Sequence, residues 1–382
     1  MTLFQPNEAQ ALVRDTARNY AQRVLAPLAG QLDREGRFPR EQLRELAELG
    51  LMGVNVPEEF GGSAAGAVAY ALAMMEIAQA CASTAVTMSV NNMVAETLVR
   101  YGSQEQKQRY VPEITSGRFA AASYGLSEPH CGSDASALRT TARRDGDSWV
   151  INGSKQWITS GDHAGVIIVY ARTGSVQGHP SKGISCFLVE RGARGLHVGK
   201  HEDKMGLRAS TTVSLAFEDL RVSSSALLGA EGQGFAIAMS ALEGGRLGIA
   251  AQSVGIGTAA VQAAVKYARE RRAFGHPIAD YQAIRFMLAD AATELDAARL
   301  LTLRAAGLKE AGRPFRSEGS MAKLFASEAA NRACDIGVQV HGGYGYIDEF
   351  PAERHYRDAR VTTIYEGTSE VQRIVISREV LR

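Results

Sequence analysis

The amino-acid sequence predicts a mainly α-helical protein with an inserted β domain. We expect an N-terminal all-α domain at residues 1–119, a middle antiparallel β-barrel or sandwich domain at residues 120–231, and a C-terminal four-helix bundle at residues 232–382. Helical periodicity in the first and last thirds supports this prediction, as do β-rich runs separated by turn dipeptides in the middle. The 382 residues, 45% of them hydrophobic, suffice for several subdomains around large buried cores.

The N-terminal third shows helix boundaries as well as helical periodicity. The stretches "NEAQ" (residues 7–10) and "SQEQ" (residues 103–106) are typical of N-terminal capping boxes. The Pro/Gly-containing "VPEEFGGS", which starts at Val56, indicates a loop between two helices, and Gly102 is placed to end another helix.

Five β-rich runs predict the small antiparallel sheet: "SWVING", "KQWITS", "GVIIVYAR", "GISCFLVE" and "TTVSLAFED". Asp-Gly, Asn-Gly and Gly-His-Pro turns separate them. From "GQGFAIAMSALEGGR" onward the apolar residues again recur with helical spacing, and the number of long segments predicts an antiparallel bundle.

Composition excludes several function classes. A formal net charge of +1 gives no general attraction to nucleic acid or to an anionic membrane. The four cysteines are widely spaced and the eight histidines form no cluster with ligand spacing, so we predict neither a disulfide framework nor a metal site. The start "MTLFQPNEAQ" lacks a signal-peptide pattern, and no long uninterrupted apolar window occurs. We therefore expect a cytoplasmic protein without a membrane span.

Two motifs resemble binding sites for nucleotides or nucleic acids, but their context argues against those functions. "GIGTAA" (residues 255–260) matches a dinucleotide fingerprint, but that motif needs a preceding strand and a βαβ unit, and the flanking sequence is helical. We expect its glycines to permit close helix packing. The basic "RERRAF" (residues 269–274) is more typical of a solvated helix end or an anion clamp than of a nucleic-acid site.

Two stretches of the β region offer groups that suit a planar cofactor. "YGLSEPHCGSD" (residues 124–134) is a loop rich in backbone and hydroxyl donors, and "NGSKQWITSG" (residues 152–161) brings an indole next to a threonine hydroxyl. An ordinary hairpin with an Asn-Gly turn and with Trp157 packed on the sheet explains the same residues equally well.

Near the C-terminus, "RVTTIYEGTSEVQRIVI" places Glu366 between an aromatic residue and a glycine. A strand-like run, Val361 to Tyr365, precedes it and a helical pattern follows. Either Thr368 or Ser369 caps that helix and Glu366 is a solvated loop charge, or Glu366 is a buried catalytic base.

Together with five further stretches, these motifs resemble the acyl-CoA dehydrogenase family over essentially the whole chain, and most of all its short-chain (butyryl-CoA) branch. The further stretches are "KHEDKMGLRAS", "ALEGGRLGIAAQ", "RRAFGHPIADYQ", "QVHGGYGY" and "PAERHYRDARVTTIYEGTSEVQR". The resemblance implies the acyl-CoA dehydrogenase fold and one FAD per subunit. It also implies a homotetramer, a dimer of dimers whose FAD sites are shared between subunits, and an electron-transfer flavoprotein as electron acceptor.

The reaction that the resemblance implies is α,β-desaturation of a short-chain, straight or branched acyl-CoA to the trans-2-enoyl-CoA. Glu366 would remove the α-proton while the β-hydrogen leaves as hydride to flavin N5, and the Glu366 backbone N–H would polarise the thioester carbonyl. Some members place the base immediately before the arginine of "GGR", where this chain has Gly245. The positions that match substrate contacts are Ser133, Glu243, Arg246, Tyr365 and Gly367. Glu243 replaces the usual aspartate, and Gly367 would leave room for the thioester.

The resemblance also assigns FAD contacts. In the β domain these are Tyr124, Leu126, Ser127, Gly132, Ser133, Trp157, Ile158 and Thr159. Positions that reach the FAD of a neighbouring subunit are Arg271, Phe274, Gln282, Gln339, Gly342 and Gly343. Thr368 and Glu370 match residues around the adenosine half. Roles for His130, Cys131 and His341 stay unassigned.

Three functions stay open at this point: the dehydrogenase, a same-fold acyl-CoA oxidase or carrier-protein-linked acyl dehydrogenase, and a non-catalytic DNA-associated flavoprotein. The balanced charge argues against the last. The acyl chain length and branching are not fixed by the sequence, because tertiary packing sets the pocket depth.

Overall fold

The structure is a computed structural model that describes residues 5–174 and 180–382. Residues 1–4, the start of the segment tested for a signal peptide, lie outside the described residues. The same holds for Gly178 and His179 of the predicted Gly-His-Pro turn.

The first part of the chain is helical and carries the two predicted capping boxes. Its helices are α1 Glu8–Tyr20, α2 Ala26–Glu35, α3 Arg40–Glu48, α4 Gly66–Ala80, α5 Ala82–Tyr101 and α6 Gln104–Thr115. Asn7 Oδ1 accepts from the Gln10 N–H at 2.9 Å, and Ser103 Oγ accepts from the Gln106 N–H at 3.2 Å. In both boxes the glutamine side chain accepts a hydrogen bond from the backbone N–H of the capping residue. Each box therefore satisfies two N–H groups that a helix start leaves unpaired.

The middle of the chain forms one seven-stranded sheet in the order β1-β4-β2-β3-β7-β6, with β5 paired to β4. Its strands are β1 Ala121–Gly125, β2 Thr141–Asp145, β3 Ser148–Thr159, β4 Ala164–Arg172, β5 Ile184–Glu190, β6 Leu196–His201 and β7 Thr212–Ser223. Most pairs are antiparallel, as predicted, but β1, and β2 at one residue pair, lie parallel to β4.

Two predicted β runs, "SWVING" and "KQWITS", are one strand in the structure. The Asn152-Gly153 dipeptide does not make a turn, so that part of the hairpin interpretation is wrong. Gly153 instead sits at a bulge with a φ of 142°, where the pairing of β3 with β7 shifts register. The turn between β2 and β3 is at Asp145-Gly146.

The last part of the chain is helical again. It contains α7 Gly234–Glu270, the short strands β8 Arg272–Ala273 and β9 His276–Pro277, α8 Gln282–Glu310, α9 Arg316–His341, α10 Ala352–Arg360 and α11 Ser369–Val380. Helix α7 packs against α4, α5, α8 and α9. Among the described helices, α7 alone is long and apolar enough to cross a membrane, and 72% of its most apolar stretch is buried inside the protein. Such burial is typical of the central helix of a core.

The glycines of "GIGTAA" lie inside α7 and permit close packing, as predicted. A Cβ added to Gly255 would lie 2.5 Å from the Met75 carbonyl oxygen of α4, and one added to Gly257 would lie 2.5 Å from Leu295 Cδ2 of α8. Both neighbouring helices therefore approach α7 more closely than any side chain would allow.

The predicted strand from Val361 to Tyr365 is wrong. A turn of 3₁₀ helix at Val361–Thr363 follows directly on α10. The Thr362 hydroxyl donates to the Ala359 carbonyl at 2.6 Å, and the Thr363 hydroxyl donates to the Arg360 carbonyl at 3.2 Å. These bonds satisfy carbonyls that the end of α10 leaves free, and they outweigh the β propensity of the branched residues.

Candidate active site

Glu366 lies between this 3₁₀ turn and α11 with a φ of 55°, in the left-handed region. Thr368 caps α11, because its hydroxyl oxygen accepts from the Val371 N–H at 3.3 Å. The predicted cap is therefore confirmed, but the solvated loop charge that accompanied it is wrong. The residue as a whole is half-buried, yet its Oε2 atom is fully buried and has no hydrogen-bond partner among the described residues.

The surroundings of this carboxylate include the α7 backbone at Gly245 and two cations. A Cβ added to Gly245 would fall against Glu366 Oε2 and would lie 3.1 Å from Met93 Sδ. Burial raises the pKa of Glu366 to about 7, while the charges of Arg246 and Lys323 oppose that rise. Glu366 is thus a carboxyl group that exchanges its proton near neutral pH.

The backbone around Glu366 is held by two buried side chains. Lys323 Nζ donates to the Gly367 carbonyl at 2.7 Å. Gln372 Nε2 donates to the same oxygen at 2.8 Å and to the Glu366 carbonyl at 3.1 Å. With both carbonyls bound, the Glu366 N–H donates to no acceptor within residues 5–174 and 180–382. That N–H is available to a ligand.

Gly367 has a conformational reason to be glycine, and the space that it would leave for a thioester stays a prediction. Its φ is 90°, which side-chain-bearing residues rarely adopt, and a Cβ there would lie 2.7 Å from Gln372 Nε2. The glycine therefore lets Gln372 reach the loop carbonyls.

Arg246 and Tyr365 adjoin the carboxylate from α7 and from the loop. Arg246 is buried; its Nη1 lies 3.5 Å from Ser320 Oγ, and its Nε has no partner among the described residues. The Tyr365 hydroxyl donates to Gln252 Oε1, and Gln252 Nε2 donates to the Ala82 carbonyl at 2.9 Å. These bonds fix the tyrosine on the helix that carries Arg246.

A cleft of about 840 Å³ opens on one side of this arrangement. Met93, Gly244 and Glu243 line its inner part, and Glu243 Oε1 is paired with Arg316 Nε at 2.6 Å. The cations that line the cleft are Arg100, Lys309, Arg313, Arg316 and Arg382, and the carboxylates are Glu96, Glu243, Glu318 and Glu379. Lys309, Arg316 and Arg382 are paired with carboxylates of the cleft, whereas Arg100 and Arg313 have no ion-pair partner among the described residues. The cleft suits a long ligand that carries anionic groups.

On the other side lies a smaller, mostly apolar cavity of about 280 Å³. Thr159, Met205 and Tyr365 line it, as does Ser210, whose buried hydroxyl has no partner in the described part of the chain. A cleft of about 770 Å³ adjoins this cavity, since Arg360 and Ile364 line both. Thr368 and Glu370 line that second cleft.

The donor-rich loop after β1 runs beside the end of β3. The Gln156 N–H donates to the Ser127 carbonyl at 2.9 Å, which places Ser127 next to Trp157. Trp157 has a φ of 63° and is 62% exposed, so the alternative in which it packs on the sheet is wrong. The Tyr124 hydroxyl donates to the Ala238 carbonyl of α7 at 3.1 Å, so the end of β1 before this loop contacts the bundle.

Comparisons with known proteins agree with this geometry. Three family models match the chain: the acyl-CoA dehydrogenase N-terminal domain at residues 7–118, the middle domain at 123–220 and the C-terminal domain at 232–381. The chain belongs to the acyl-CoA dehydrogenase family. Mitochondrial short-chain specific acyl-CoA dehydrogenase of Bos taurus is 51% identical over 376 residues, which are 98% of this chain and 90% of that protein.

Two solved structures share nearly the whole fold. Butyryl-CoA dehydrogenase of Megasphaera elsdenii has a TM-score of 0.96 and 39% identity, and the match covers 99% of this chain and 100% of that one. A structure reported under the heading "Electron transferring flavoprotein of Acidaminococcus fermentans: Towards a mechanism of flavin-based electron bifurcation" has a TM-score of 0.97 and 44% identity, covering 99% of both chains.

Acyl-CoA dehydrogenases are FAD flavoproteins. The apolar cavity and the adjoining cleft fit such a cofactor, because a flat ring needs an apolar slot with polar groups at its edge, and the unpartnered Ser210 hydroxyl is such a group. Thr159 would hold the ring half, and Thr368 and Glu370 would hold the adenosine half. Ile158 is buried in the sheet core, so its backbone alone can contact a ligand.

The other predicted FAD contacts are further from this cavity. Leu126 is buried, whereas Gly132 and Ser133 are exposed on the loop after β1. The six residues assigned to a neighbouring subunit's FAD share one end of the bundle, are all exposed and line none of the clefts described above: Arg271, Phe274, Gln282, Gln339, Gly342 and Gly343. Phe274 is 94% exposed. Their contacts with a second subunit stay a prediction.

Sequence reasoning missed Lys323 and Gln372. Lys323 lies in "SMAKLF" on the face of α9 that also carries the buried Ala326 and Ala330, three and seven residues further on. A lysine at buried helical spacing is a signal that could have found it. No comparable signal marks Gln372, whose partners are backbone carbonyls.

Folding also gathers Glu128, His130 and Cys131, whose donor atoms lie within 4.8 Å of one another. Glu128 is already bound to Lys155 Nζ at 2.8 Å and to the backbone N–H groups of Arg139 and Thr140. Lys155 Nζ also donates to the Leu126 carbonyl at 3.1 Å. The Glu128–Lys155 pair therefore holds the loop after β1 in place.

Proposed function

We propose that this protein is an FAD-dependent dehydrogenase of short-chain acyl-CoA thioesters, in which Glu366 removes the α-proton. The observation that supports this most is the Glu366 carboxylate, which is buried, lacks a donor on Oε2 and has a pKa of about 7 between two clefts. A general base works best when its pKa lies near the working pH.

The α-proton of a thioester is weakly acidic, so the site must polarise the carbonyl as well as supply a base. The free N–H of Glu366 is a donor for that carbonyl oxygen, and the carboxylate of the same residue is the proton acceptor. Because one residue provides both groups, their separation depends on the conformation of that residue alone. The left-handed φ of 55° sets the direction of its N–H relative to its Cα.

The bound FAD supplies a hydride acceptor for the β-hydrogen. The chain itself positions the substrate. Arg100 and Arg313 of the large cleft pair with no carboxylate among the described residues and suit the phosphates of coenzyme A, and the charge of Arg246 acts on the Glu366 carboxylate. The Glu366 Oε2 atom is buried, and the α7 backbone at Gly245 approaches it too closely to leave room for a Cβ.

The short-chain assignment rests on the likeness to the short-chain specific and butyryl-CoA enzymes. We extend the proposal to an electron-transferring flavoprotein as acceptor, in line with the structure that bears that name, and the exposed Trp157 is a suitable contact for it. We also propose a cytoplasmic homotetramer in which exposed Phe274 and its neighbours reach the FAD of another subunit.

An anaerobic titration tests this function. The flavin absorbance of the purified holoenzyme is followed while butyryl-, isobutyryl-, isovaleryl- or octanoyl-CoA is added. We expect bleaching with a long-wavelength charge-transfer band, strongest with butyryl-CoA. A bound flavin that none of these thioesters reduces would contradict the proposal and would favour a carrier-bound substrate. Rapid reoxidation in air after reduction would instead indicate an oxidase.

A further inference from the structure

Lys323 is an unusual residue in the core of this protein. It lies in α9, is 0% exposed and has no carboxylate oxygen within 4.0 Å in the part of the chain that the structure describes. Its only bond there is the donation to the Gly367 carbonyl at 2.7 Å. Burying an ammonium group without a carboxylate costs several kcal/mol, so a function for it is to be expected.

The position of Lys323 couples it to Glu366 through the backbone. The Gly367 carbonyl that it binds belongs to the second peptide group after the one that contains the free N–H of Glu366, and Glu366 itself has the left-handed φ of 55°. Gln372 makes two bonds to the same loop, but it is neutral and approaches from α11. Lys323 therefore adds a fixed positive charge to a loop whose geometry is already partly held.

Charged and titratable groups reach Glu366 from four packed elements. Arg246 lies on α7, Lys323 on α9, Tyr70 on α4 and Tyr124 on β1. Besides Glu366, the carboxylates that face Lys323 are Glu370 and Glu328, and Arg246 is the cation that faces it. Burial lowers the pKa of Lys323 to about 8, and Glu366 opposes that fall, so Lys323 is mostly charged at pH 7.

We propose that Lys323 is a positioning residue for proton abstraction: it holds the loop so that the Glu366 N–H faces the thioester, and its charge favours the ionised form of the Glu366 carboxylate. The proposal rests on the proposed function of Glu366. A purely structural lysine would fill the same space but would leave the titration of Glu366 unchanged.

Three substitutions separate charge from hydrogen bonding. Lys323→Met removes both, Lys323→Gln retains a donor without the charge, and Lys323→Arg retains both. Lys266→Met on α7 removes an exposed lysine and is the control. Flavin absorbance and thermal unfolding show which variants are folded holoenzyme, and Lys323→Gln keeps the test valid where Lys323→Met does not fold.

The first readout is the limiting rate of anaerobic flavin bleaching by butyryl-CoA across pH. Removing a nearby cation raises the pKa of a carboxyl group, so we expect the midpoint of the rising limb to move up by about one pH unit in Lys323→Gln and Lys323→Met. At pH 7 such a shift lowers the ionised fraction of Glu366 from about one half to about one tenth, so we expect the rate to fall about fivefold in Lys323→Gln and further in Lys323→Met, which also loses the hydrogen bond. Lys323→Arg and Lys266→Met are expected to keep the wild-type midpoint.

The second readout does not need turnover. The infrared band of the protonated Glu366 carboxyl, isolated by subtracting the spectrum of Glu366→Gln in the same background, is titrated in wild type and in Lys323→Gln. A midpoint raised by about one pH unit supports the proposal. An unchanged midpoint overturns it. If no acyl-CoA bleaches the wild-type flavin, the proposed function fails, and this titration still decides whether Lys323 acts on Glu366.

Discussion

Glu128 and Glu366 both have buried carboxylate oxygens, but these oxygens differ in their hydrogen-bond donors. Glu128 Oε1 accepts from Lys155 Nζ at 2.8 Å and from the Thr140 N–H at 3.0 Å, and its Oε2 accepts from the Arg139 N–H at 2.6 Å. Burial opposes its ionisation, yet the lysine and these bonds hold its pKa below the ordinary value. Glu366 Oε2 has no such donor, and burial raises its pKa to about 7.

The difference shows that burial alone does not make a base. A buried carboxylate with a full set of donors is ionised, inert and structural. A buried carboxylate whose cations act from beyond hydrogen-bonding distance keeps its affinity for a proton, which is the property that proton abstraction needs.

The largest expected effect comes from replacing Glu366, the carboxylate with the raised pKa. Glu366→Gln should bind FAD and acyl-CoA but lower the rate of flavin bleaching by about 10² to 10⁴-fold, because the amide cannot accept the α-proton. Stopped-flow absorbance under anaerobic conditions measures this, with exposed Glu41→Gln as the matched control. Bleaching at the wild-type rate would place the base elsewhere.

Changes at the Glu128–Lys155 pair should alter the stability of the protein. Lys155→Met leaves the Glu128 charge buried without its ion-pair partner, and we expect the free energy of unfolding to fall by about 3–5 kcal/mol. Replacing both residues, as Glu128→Gln with Lys155→Met, should recover most of that loss, since no charge then stays buried. Urea denaturation compares the variants. A double variant no more stable than Lys155→Met would contradict this account.

The two carboxylates should have opposite effects of pH on stability. The folded-state pKa of Glu366, about 7, lies above its ordinary 4.5, so its contribution is present below pH 4.5 and is lost as pH rises through 7. Glu366→Gln should therefore be more stable than wild type at pH 8, by about 3 kcal/mol, and nearly equal at pH 4.5. Thermal unfolding at both pH values measures this.

For Glu128, whose pKa is lowered, the stabilising contribution is instead lost as pH falls below the ordinary pKa of a glutamate.

An equal shift of the thermal unfolding midpoint of Glu366→Gln at pH 4.5 and at pH 8 would show that the Glu366 carboxyl group does not titrate between these pH values.

The smallest expected effect tests whether a side chain at position 245 can occupy the space of the Glu366 carboxylate. Because a Cβ at Gly245 falls against the Glu366 carboxylate, a glutamate introduced there needs the space of that side chain. Gly245→Glu in a Glu366→Ala background should raise the bleaching rate about tenfold above Glu366→Ala alone. Gly245→Gln in the same background is the control, and equal rates for the two would count against a shared location.

Much of this arrangement could be predicted from the sequence. Capping boxes at Asn7 and Ser103 are local, so their residues alone specify them. Glu366 was predicted from its neighbours and from the family motif, and the structure buries its carboxylate. The strand predicted at Val361 was wrong because threonine hydroxyls that bond to the end of α10 override β propensity there.

What the sequence did not reveal depends on distant contacts. Lys323 meets Gly367 across 44 residues, and Lys155 meets Glu128 across 27, so no local pattern links either pair. The exposure of Trp157 follows from its left-handed φ at the irregular end of β3, which propensity does not indicate. Residues such as Arg271 and Gln339 stay predictions because their proposed partner is another subunit.

The close approach of Gly245 to Glu366 also constrains how such an enzyme can evolve. A glutamate at each position would put two carboxylates into one buried space, where they cannot both ionise and would titrate as a pair that shares a proton. A lineage that moves its base from loop to helix must therefore pass through a proton-sharing pair or through a protein with no base.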